Sequence, residues 1–397
     1  MEDKKLYKSI KYRIFPTDEQ KMILERQFGA RRFVYNYLVN LLFETSYLKD
    51  NIDNKNATSK LTLRDYIRKN GPEWIRTGSN YINGTVVENA VEDFVIAFNS
   101  YKKKSRLWLK ENNIEEITKN RPRIKSKKET KLSCTFNRKN SSSIKIVDGF
   151  IEMTTTKFYR RQTFLSKRKI TLDQKCIKQV SFNKINGRYY MSLIYETQVS
   201  NKPYNSNTKI GIDLGIKTSA VCYDGNKYFN YELPKRINAI DKNLRRISSK
   251  FCKAKDNSKR KNKLLNNLRK VYKYKINFRN NWQDHIVVDL CKKYETIIID
   301  DMPKLSKGFL KHNNKKMSIA PGRFIYRLNL KSEELQNNII IVKSGIPTTQ
   351  TCSNCGNVKK DKEKLTLKDR KYECKCCGYI KDRDENSAKN IYNYKVS

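Results

Sequence analysis

The stretch "KIGIDLGIKTSAVCYDGNKYFNYEL", residues 209–233, decides the fold. Its first residues alternate apolar and small or polar, the two-residue period of a strand. A second apolar run follows, then an Asp224–Gly225 turn and a third run. Three short strands joined this closely make an antiparallel meander. Asp213 stands inside the first strand, between Gly211 and Gly215. Taken alone, it also reads as an ordinary strand-end turn residue.

Downstream of the meander the pattern changes to helix. Residues 235–293 are helical and strongly basic, with 15 Lys or Arg against two acids between 241 and 280. Then "ETIIIDDM" (295–302) places three consecutive isoleucines before Asp300 and Asp301. A continuous apolar run ending in carboxylates reads as a buried parallel strand whose polar end reaches a sheet edge. "NNIIIVKSGIP" (337–347) is another short strand. Meander, helix, then parallel central strand is the order of an RNase H-like sheet. In that order the first strand and the later one are neighbours, so Asp213 and Asp300 are expected to meet.

The last part of the chain holds a second constellation. Cys352-x2-Cys355 is followed after 18 residues by Cys374-x2-Cys377. This is the spacing of a structural zinc site, in which each pair turns two thiolates toward one metal. Gly356 and Gly378 allow the tight turn after each pair. The competing reading is two disulfides or unlinked thiols. Cys376 has the wrong spacing to serve with Cys374. Asp382 and Asp384 follow the second pair directly, with no room for a linker. Asp384, ahead of "ENSAKNIY", suits both a helix N-cap and a metal ligand, whereas Asp301 and Asp382 read as solvated or supporting acids. Asp213, Asp300 and Asp384 converging on two Mg²⁺ ions about 3.5–4 Å apart would activate water and stabilise the leaving oxygen of a phosphodiester. Oxygen donors suit Mg²⁺ and need no histidine; the chain has only two.

Toward the N-terminus, "LYKSIKYRIF" (6–15) reads as a strand stopped by Pro16, and Thr17 with Gln20 as a capping box opening a helix over 18–49. Residues 85–104 give the clearest helix, with Val87, Val91, Phe94, Phe98 and Tyr101 in one stripe. From about 121, a basic loop gives way to short strand-like runs, including a hairpin in "INGRYYMSLIY" (185–195), read as an antiparallel barrel or sheet sharing strands with the N-terminus. Residues 200–208 are a linker by composition.

The 397 residues carry 85 Lys and Arg against 40 Asp and Glu, a net charge of +45. Such an excess calls for a polyanion, and nucleic acid carries a dense line of phosphates. No amphipathic anchor, lipidation motif or apolar run near 18 residues favours a membrane surface instead. The charged start is unlike a signal peptide, so a cytoplasmic, nucleoid-associated protein is expected. The absence of GxxxxGK[ST], GxGxxG and HExxH leaves nucleotide hydrolysis, dinucleotide chemistry and zincin proteolysis without support. In "KVYKYKINFR" (270–279), aromatic residues alternate with Lys270, Lys273, Lys275 and Arg279. These residues could follow a nucleic-acid backbone and stack bases; equally, the aromatics could face the core and the charges be solvated. Arg31 and Arg32 are further candidates for nucleic-acid contact.

"GIDLGIKTSAV", "IIIDDM", "TTQTCSNCG" and "CKCCGYIKDRDENSAKNI", with "YRIFPTDEQKMILERQFGARRFVYNYL" near the start, resemble the insertion-sequence-encoded TnpB proteins and the related miniature type V CRISPR effectors. The likeness covers nearly the whole chain and is weakest at 50–80 and 105–140. It implies an RNA-guided DNA endonuclease of a transposable element, acting beside a short flanking motif. The implied fold is α/β: a RuvC (RNase H-like) domain with an inserted zinc ribbon, plus an N-terminal wedge β-barrel interrupted by a helical recognition insert. The implied divisions are 1–17 and 121–200 for the barrel, 18–120 for the insert, 205–345 for the RuvC core, 346–380 for the ribbon and 381–397 for the last RuvC motif. The family's three catalytic acids fall on Asp213, Asp300 and Asp384, its zinc ligands on the four cysteines, and Mg²⁺ is the implied catalytic ion. The implied partners are a guide RNA from the element's own end and target DNA, both duplex and displaced single strand. One departure stands out: the family usually carries Glu where this chain has Asp300, one methylene shorter. That departure leaves a nuclease-weakened RNA-guided DNA-binding regulator open; two further alternatives are a miniature effector if the gene lies in a CRISPR locus, and a DNA-joining transposase, whose integrase-like fold uses related acids.

Overall fold

A computed structural model describes residues 5–45, 47, 56–76, 81–110, 120–127, 131–138, 144–156, 161–198, 204–215, 218–300, 320–343, 345–366 and 369–394. Asp301 lies outside them. The chain divides into two compact units, Met1–Gln198 and Val199–Ser397. Among the described residues, no helix is long and apolar enough to cross a membrane.

In the first unit, strand β1 (Leu6–Arg13) leads into helix α1 (Asp18–Phe43). The capping box forms: the Thr17 hydroxyl accepts from the Gln20 N–H at 3.2 Å, and the Gln20 side chain accepts from the Thr17 N–H at 3.1 Å. Of the rest of the expected span to 49, Tyr47 is again helical and 46, 48 and 49 lie outside the described residues, but the helix itself stops at Phe43. There the Thr45 hydroxyl donates to the Leu41 carbonyl at 2.5 Å, taking the acceptor that a continued helix would use. Helices α2 (Lys60–Asn70) and α3 (Gly84–Lys110) complete an apolar cluster with α1. Val87, Val91, Phe94 and Phe98 are buried in it, and Tyr101 packs at its margin.

The strands of this unit form two antiparallel sheets. One runs β1, β7 (Arg188–Thr197), β6 (Ile177–Ile185), β2 (Lys131–Asn137). The other runs β3 (Ile144–Val147), β4 (Phe150–Thr154), β5 (Arg161–Phe164). Asn186 and Gly187, both at positive φ, close the expected β6–β7 hairpin. Both sheets contribute to one core with Leu24, Phe28 and Val86, and Ile14 bridges to Ser166.

The second unit is built on a five-stranded sheet in the order β10 (Tyr228–Tyr231), β9 (Ala220–Tyr223), β8 (Lys209–Asp213), β11 (Thr296–Asp300), β12 (Asn338–Val342). β9 runs antiparallel to both β8 and β10, and β11 runs parallel between β8 and β12. The basic segment between β10 and β11 is two helices, α4 (Lys235–Cys252) and α5 (Lys259–Lys293). Asn257 takes a left-handed φ of 58°, and Ser258 caps α5 by accepting from the Lys261 N–H at 3.1 Å. The two helices share a narrow apolar seam of Ile240, Leu244, Ile247 and Leu268.

Side-chain alternation along the sheet assigns its two faces. Ile210, Ile212, Ile297 and Ile299 share a core with α5 and with α6 (Pro321–Leu335). Ile298 and Val342 pack on the other face with Ile391 of α7 (Arg383–Tyr392). Hairpin β13 (Lys371–Glu373) with β14 (Ile380–Asp382) immediately precedes α7.

Candidate active site and metal centre

By the same alternation, Gly211 and Asp213 of β8 share a face, as do Ile298 and Asp300 of β11. That face carries α7. A Cβ on Gly211 would lie 2.4 Å from the Tyr392 nitrogen and 2.5 Å from the Ala388 carbonyl oxygen, so the helix backbone rests directly on the strand. The parallel pairing of β8 with β11 ends at Ile212 with Ile299, and the next residue of each strand is Asp213 and Asp300. Asp384 is in the first turn of α7. Two strand ends and one helix start thus bring three carboxylates to one place.

Electrostatics records that meeting. The Asp213 carboxyl is pushed up to about 8, first by burial, then by the charges of Asp384 and Asp300, against the opposing pull of Arg383. Two neighbouring carboxylates that resist ionisation of a third make a site short of positive charge. Its all-oxygen donor set suits a hard divalent cation rather than zinc. Asp384 is also matched by Arg383 at 3.3 Å and Arg370 at 3.5 Å.

The helix cap is Asp382, not Asp384. The Asp382 carboxylate accepts from the backbone N–H groups of Asp384 (2.8 Å) and Glu385 (3.3 Å). Asp384 therefore occupies the second helical position, and its own carboxylate is left for the site. The sequence favoured Asp384 as the cap because it stands nearer the apolar positions of the helix. The β13–β14 pairing ends at Asp382, which fixes where the helix starts.

The four cysteines converge as their spacing implies. Their sulfurs lie within 4.8 Å of one another, and Cys376 is outside the cluster. Cys352 and Cys377 are 3.8 Å apart, and Cys355 and Cys374 3.6 Å. A tetrahedron with Zn–S arms of about 2.3 Å has edges of about 3.8 Å, whereas a disulfide needs about 2.05 Å. The arrangement fits zinc and excludes the disulfide reading. The two knuckles repeat one geometry: Gly356 donates to the Cys352 carbonyl and Gly378 to the Cys374 carbonyl, both at 2.9 Å, with φ of +79° and +68°. The backbone N–H groups of Cys377 and Cys376 are aimed at the Cys374 sulfur and bring that thiol down to about 6. Tyr372, fully buried, is the apolar floor of this small domain.

Three further residues join the ribbon to the acids, and composition gave no sign of them. Thr348 donates its hydroxyl to Asp300 at 3.2 Å. Asn390 donates to the Thr348 carbonyl (2.8 Å) and the Thr351 carbonyl (2.7 Å). Asn386 donates to the Thr351 carbonyl (2.7 Å) and accepts from the Ser353 N–H (2.9 Å). The available signal was the four-residue spacing of the two asparagines, which places both on one side of a helix.

The basic candidates divide. Arg31 is committed inside the first unit, to Asp93 at 2.6 Å and to Ser133 and Thr135; Arg32 is partly exposed on the same helix. Lys275 pairs with Asp241 at 2.5 Å, and Arg279 hydrogen-bonds Asn280. Lys270 is exposed and Lys273 partly buried. The aromatics of this segment point outward: Tyr272 is 51% and Tyr274 43% exposed. Arg236 lies over the Tyr274 and Phe278 rings. The two tyrosines thus depart from the reading with aromatics in the core, whereas Phe278 is partly buried and Lys270 exposed.

Three family models match the chain. They are described as "Helix-turn-helix domain" of the IS605 OrfB proteins (residues 1–47), "Probable transposase" of the same proteins (192–304) and "Cas12f1-like, TNB domain" (322–391). Together they span more than half of it. In the structure, residues 6–43 of the first match are one strand and one long helix. Among curated relatives, a "Putative RNA-guided DNA endonuclease" of Streptomyces pristinaespiralis is 24% identical over 97% of this chain and 88% of its own. "TnpB-like protein L79" of Acanthamoeba polyphaga mimivirus is 25% identical over 96% and 72%. Among solved structures, the "mini-RNA-guided endonuclease CRISPR-Cas_phi3" aligns at a TM-score of 0.51 and 9% identity, over 97% of this chain and 92% of that one, a likeness of fold.

Proposed function

We propose that this chain, which belongs to the TnpB family of IS605-type OrfB proteins, is an RNA-guided DNA endonuclease of a transposable element. The observation that carries the proposal is the meeting of Asp213, Asp300 and Asp384 at one sheet edge. In this reading the second unit is a RuvC nuclease of the RNase H-like class, with residues 346–380 a target-nucleic-acid-binding ribbon inserted before the last catalytic acid. The first unit is the wedge barrel, with 18–120 its helical recognition insert.

The three carboxylates would hold Mg²⁺. The mechanism of this class uses two such ions about 3.5–4 Å apart. When bound, such ions activate a water and neutralise the leaving oxygen of a phosphodiester. The protein's own contribution is placement. Asp213 and Asp300 are fixed by the strand pairing, Asp384 by the cap on α7, and Arg383 and Arg370 pair with Asp384.

The charge of +45 supports binding of phosphate backbones. Sequence choice then falls to a guide RNA, with the protein reading heteroduplex shape and a short flanking motif. The binding-only regulator rests on one feature, the short Asp300 side chain.

The test is cleavage of a plasmid library by protein co-expressed with its native gene flanks, so that its RNA accompanies it. The target matches that RNA, beside a randomised flank, with Mg²⁺ present. Cleavage that disappears in Asp213→Ala and in EDTA supports the nuclease. Target binding without cleavage favours the regulator. Absence of bound RNA refutes RNA guidance.

A further inference from the structure

Thr348 is 5% exposed and lies in the loop leaving β12, the strand beside β11. Val342 of β12 is the register partner of Asp300, so this loop emerges at the edge that carries the acids. The loop is a built piece. Thr348 donates its N–H to the Ile346 carbonyl at 2.9 Å, and its own carbonyl accepts from Asn390 at 2.8 Å. Gln350 and Thr351 both donate their N–H groups to the Pro347 carbonyl, at 2.9 and 3.0 Å. The Thr351 carbonyl is gripped by Asn386 and Asn390, each at 2.7 Å. With its backbone fixed on both sides, Thr348 has one free polar group, the hydroxyl. That hydroxyl reaches Asp300 Oδ2 at 3.2 Å.

We infer that Thr348 is a positioning residue for Asp300: its hydroxyl aims the short carboxylate, and α7 holds that hydroxyl in place through Asn390. The physical reason is the side chain's reach. A carboxylate with only one methylene places its oxygens through two torsions, χ1 and a broad χ2, so a donor on one oxygen narrows where the other points. Partners of this kind around metal ligands typically govern 10–100-fold in metal affinity. The same loop continues into Cys352, so Thr348 also joins the zinc knuckle to the acid site within one short segment.

This inference rests on the nuclease reading, and the experiment separates the two. Mn²⁺, a spectroscopic stand-in for Mg²⁺, is titrated into the full-length protein carrying its RNA, and free aquo-Mn²⁺ is followed by electron paramagnetic resonance. Zinc content and thermal unfolding are measured in parallel. Thr348→Val is expected to bind Mn²⁺ about 10–100-fold more weakly while keeping one zinc and the wild-type melting profile. Thr348→Ser, which restores the hydroxyl, is expected to return affinity close to wild type. On an Asp300→Asn background, Thr348→Val should change nothing further. Wild-type affinity in Thr348→Val overturns the positioning role and leaves the nuclease reading intact. Equal weakening in Thr348→Ser overturns the hydroxyl's part. No Mn²⁺ binding by the wild type sinks the metal-site reading and this inference with it.

Discussion

Asp213 and Asp300 end two neighbouring parallel strands, each one residue beyond the last registered pair, Ile212 with Ile299. On both strands the acid shares its face with a residue packed under α7, Gly211 on one and Ile298 on the other. The helix that covers this face brings Asp384 within its first turn. Each acid's place follows from backbone geometry, and that makes the site open to substitutions that separate charge from scaffold.

Asp382 and Asp384 differ by two positions and should differ in kind. Asp382→Ala removes the cap of α7 and is expected to cost about 0.5–2 kcal/mol of stability with partial activity retained. Asp384→Ala should leave melting close to wild type and reduce cleavage to background. Parallel melting curves and cleavage rates check this; full cleavage by Asp384→Ala would remove it from the site.

The raised Asp213 carboxyl sets a pH dependence. In the cation-free protein it binds a proton up to about pH 8, whereas an unfolded aspartate releases it near pH 3.9. The folded state thus holds more protons between those values, and this group's contribution to stability falls as pH rises through that window. Asp213→Asn is expected to flatten the decline and melt higher than wild type at pH 8. Mg²⁺ should raise the wild-type melting temperature more at pH 8 than at pH 5, and should do little for Asp213→Asn. For a unit of this size, each kcal/mol of repulsion relieved corresponds to about 2–4 °C. Equal Mg²⁺ shifts at both pH values would contradict this account.

Gly211→Ala adds one methyl where the α7 backbone lies 2.4–2.7 Å away. Neither backbone can yield cheaply, so a loss of about 1–3 kcal/mol is expected. Because the displaced helix carries Asp384, cleavage should fall further than stability alone explains, although all three acids remain. Calorimetry beside a cleavage assay at a temperature where the variant is fully folded measures the two separately.

Arg31 and Tyr274 should exchange the roles that their residue types suggest. Arg31→Ala breaks a part-buried pair with Asp93 and is expected to destabilise the first unit by about 1.5–3 kcal/mol. Tyr274→Ala should leave the fold intact and weaken RNA or DNA binding, by about 1–3 kcal/mol if a base stacks there. Denaturant melts and filter binding at one fixed salt concentration distinguish these outcomes.

Much of this was legible because local pattern carried it. Two Cys-x2-Cys pairs with glycines behind them carry the spacing of a zinc knuckle, and the four sulfurs converge accordingly. Three isoleucines ending in Asp300 read as a buried strand, and the structure places them on β11. The capping box at Thr17 and Gln20 formed because both partners lie within one turn. The boundaries that differed were set by single competing hydrogen bonds: Thr45 takes the Leu41 carbonyl at the end of α1, and Ser258 caps a new helix within the basic segment.

The sequence by itself marked the candidate residues: four cysteines at zinc spacing, and carboxylates at the ends of apolar strands in an order that brings those strands together. Only the tertiary structure decided which acid caps α7, which arginine is committed internally, which aromatics face outward, and that Thr348 reaches Asp300. The physical reason is range. Strand period, knuckle spacing and caps are local to a few residues, while the partner of a side chain 48 positions away depends on how sheet and helix pack.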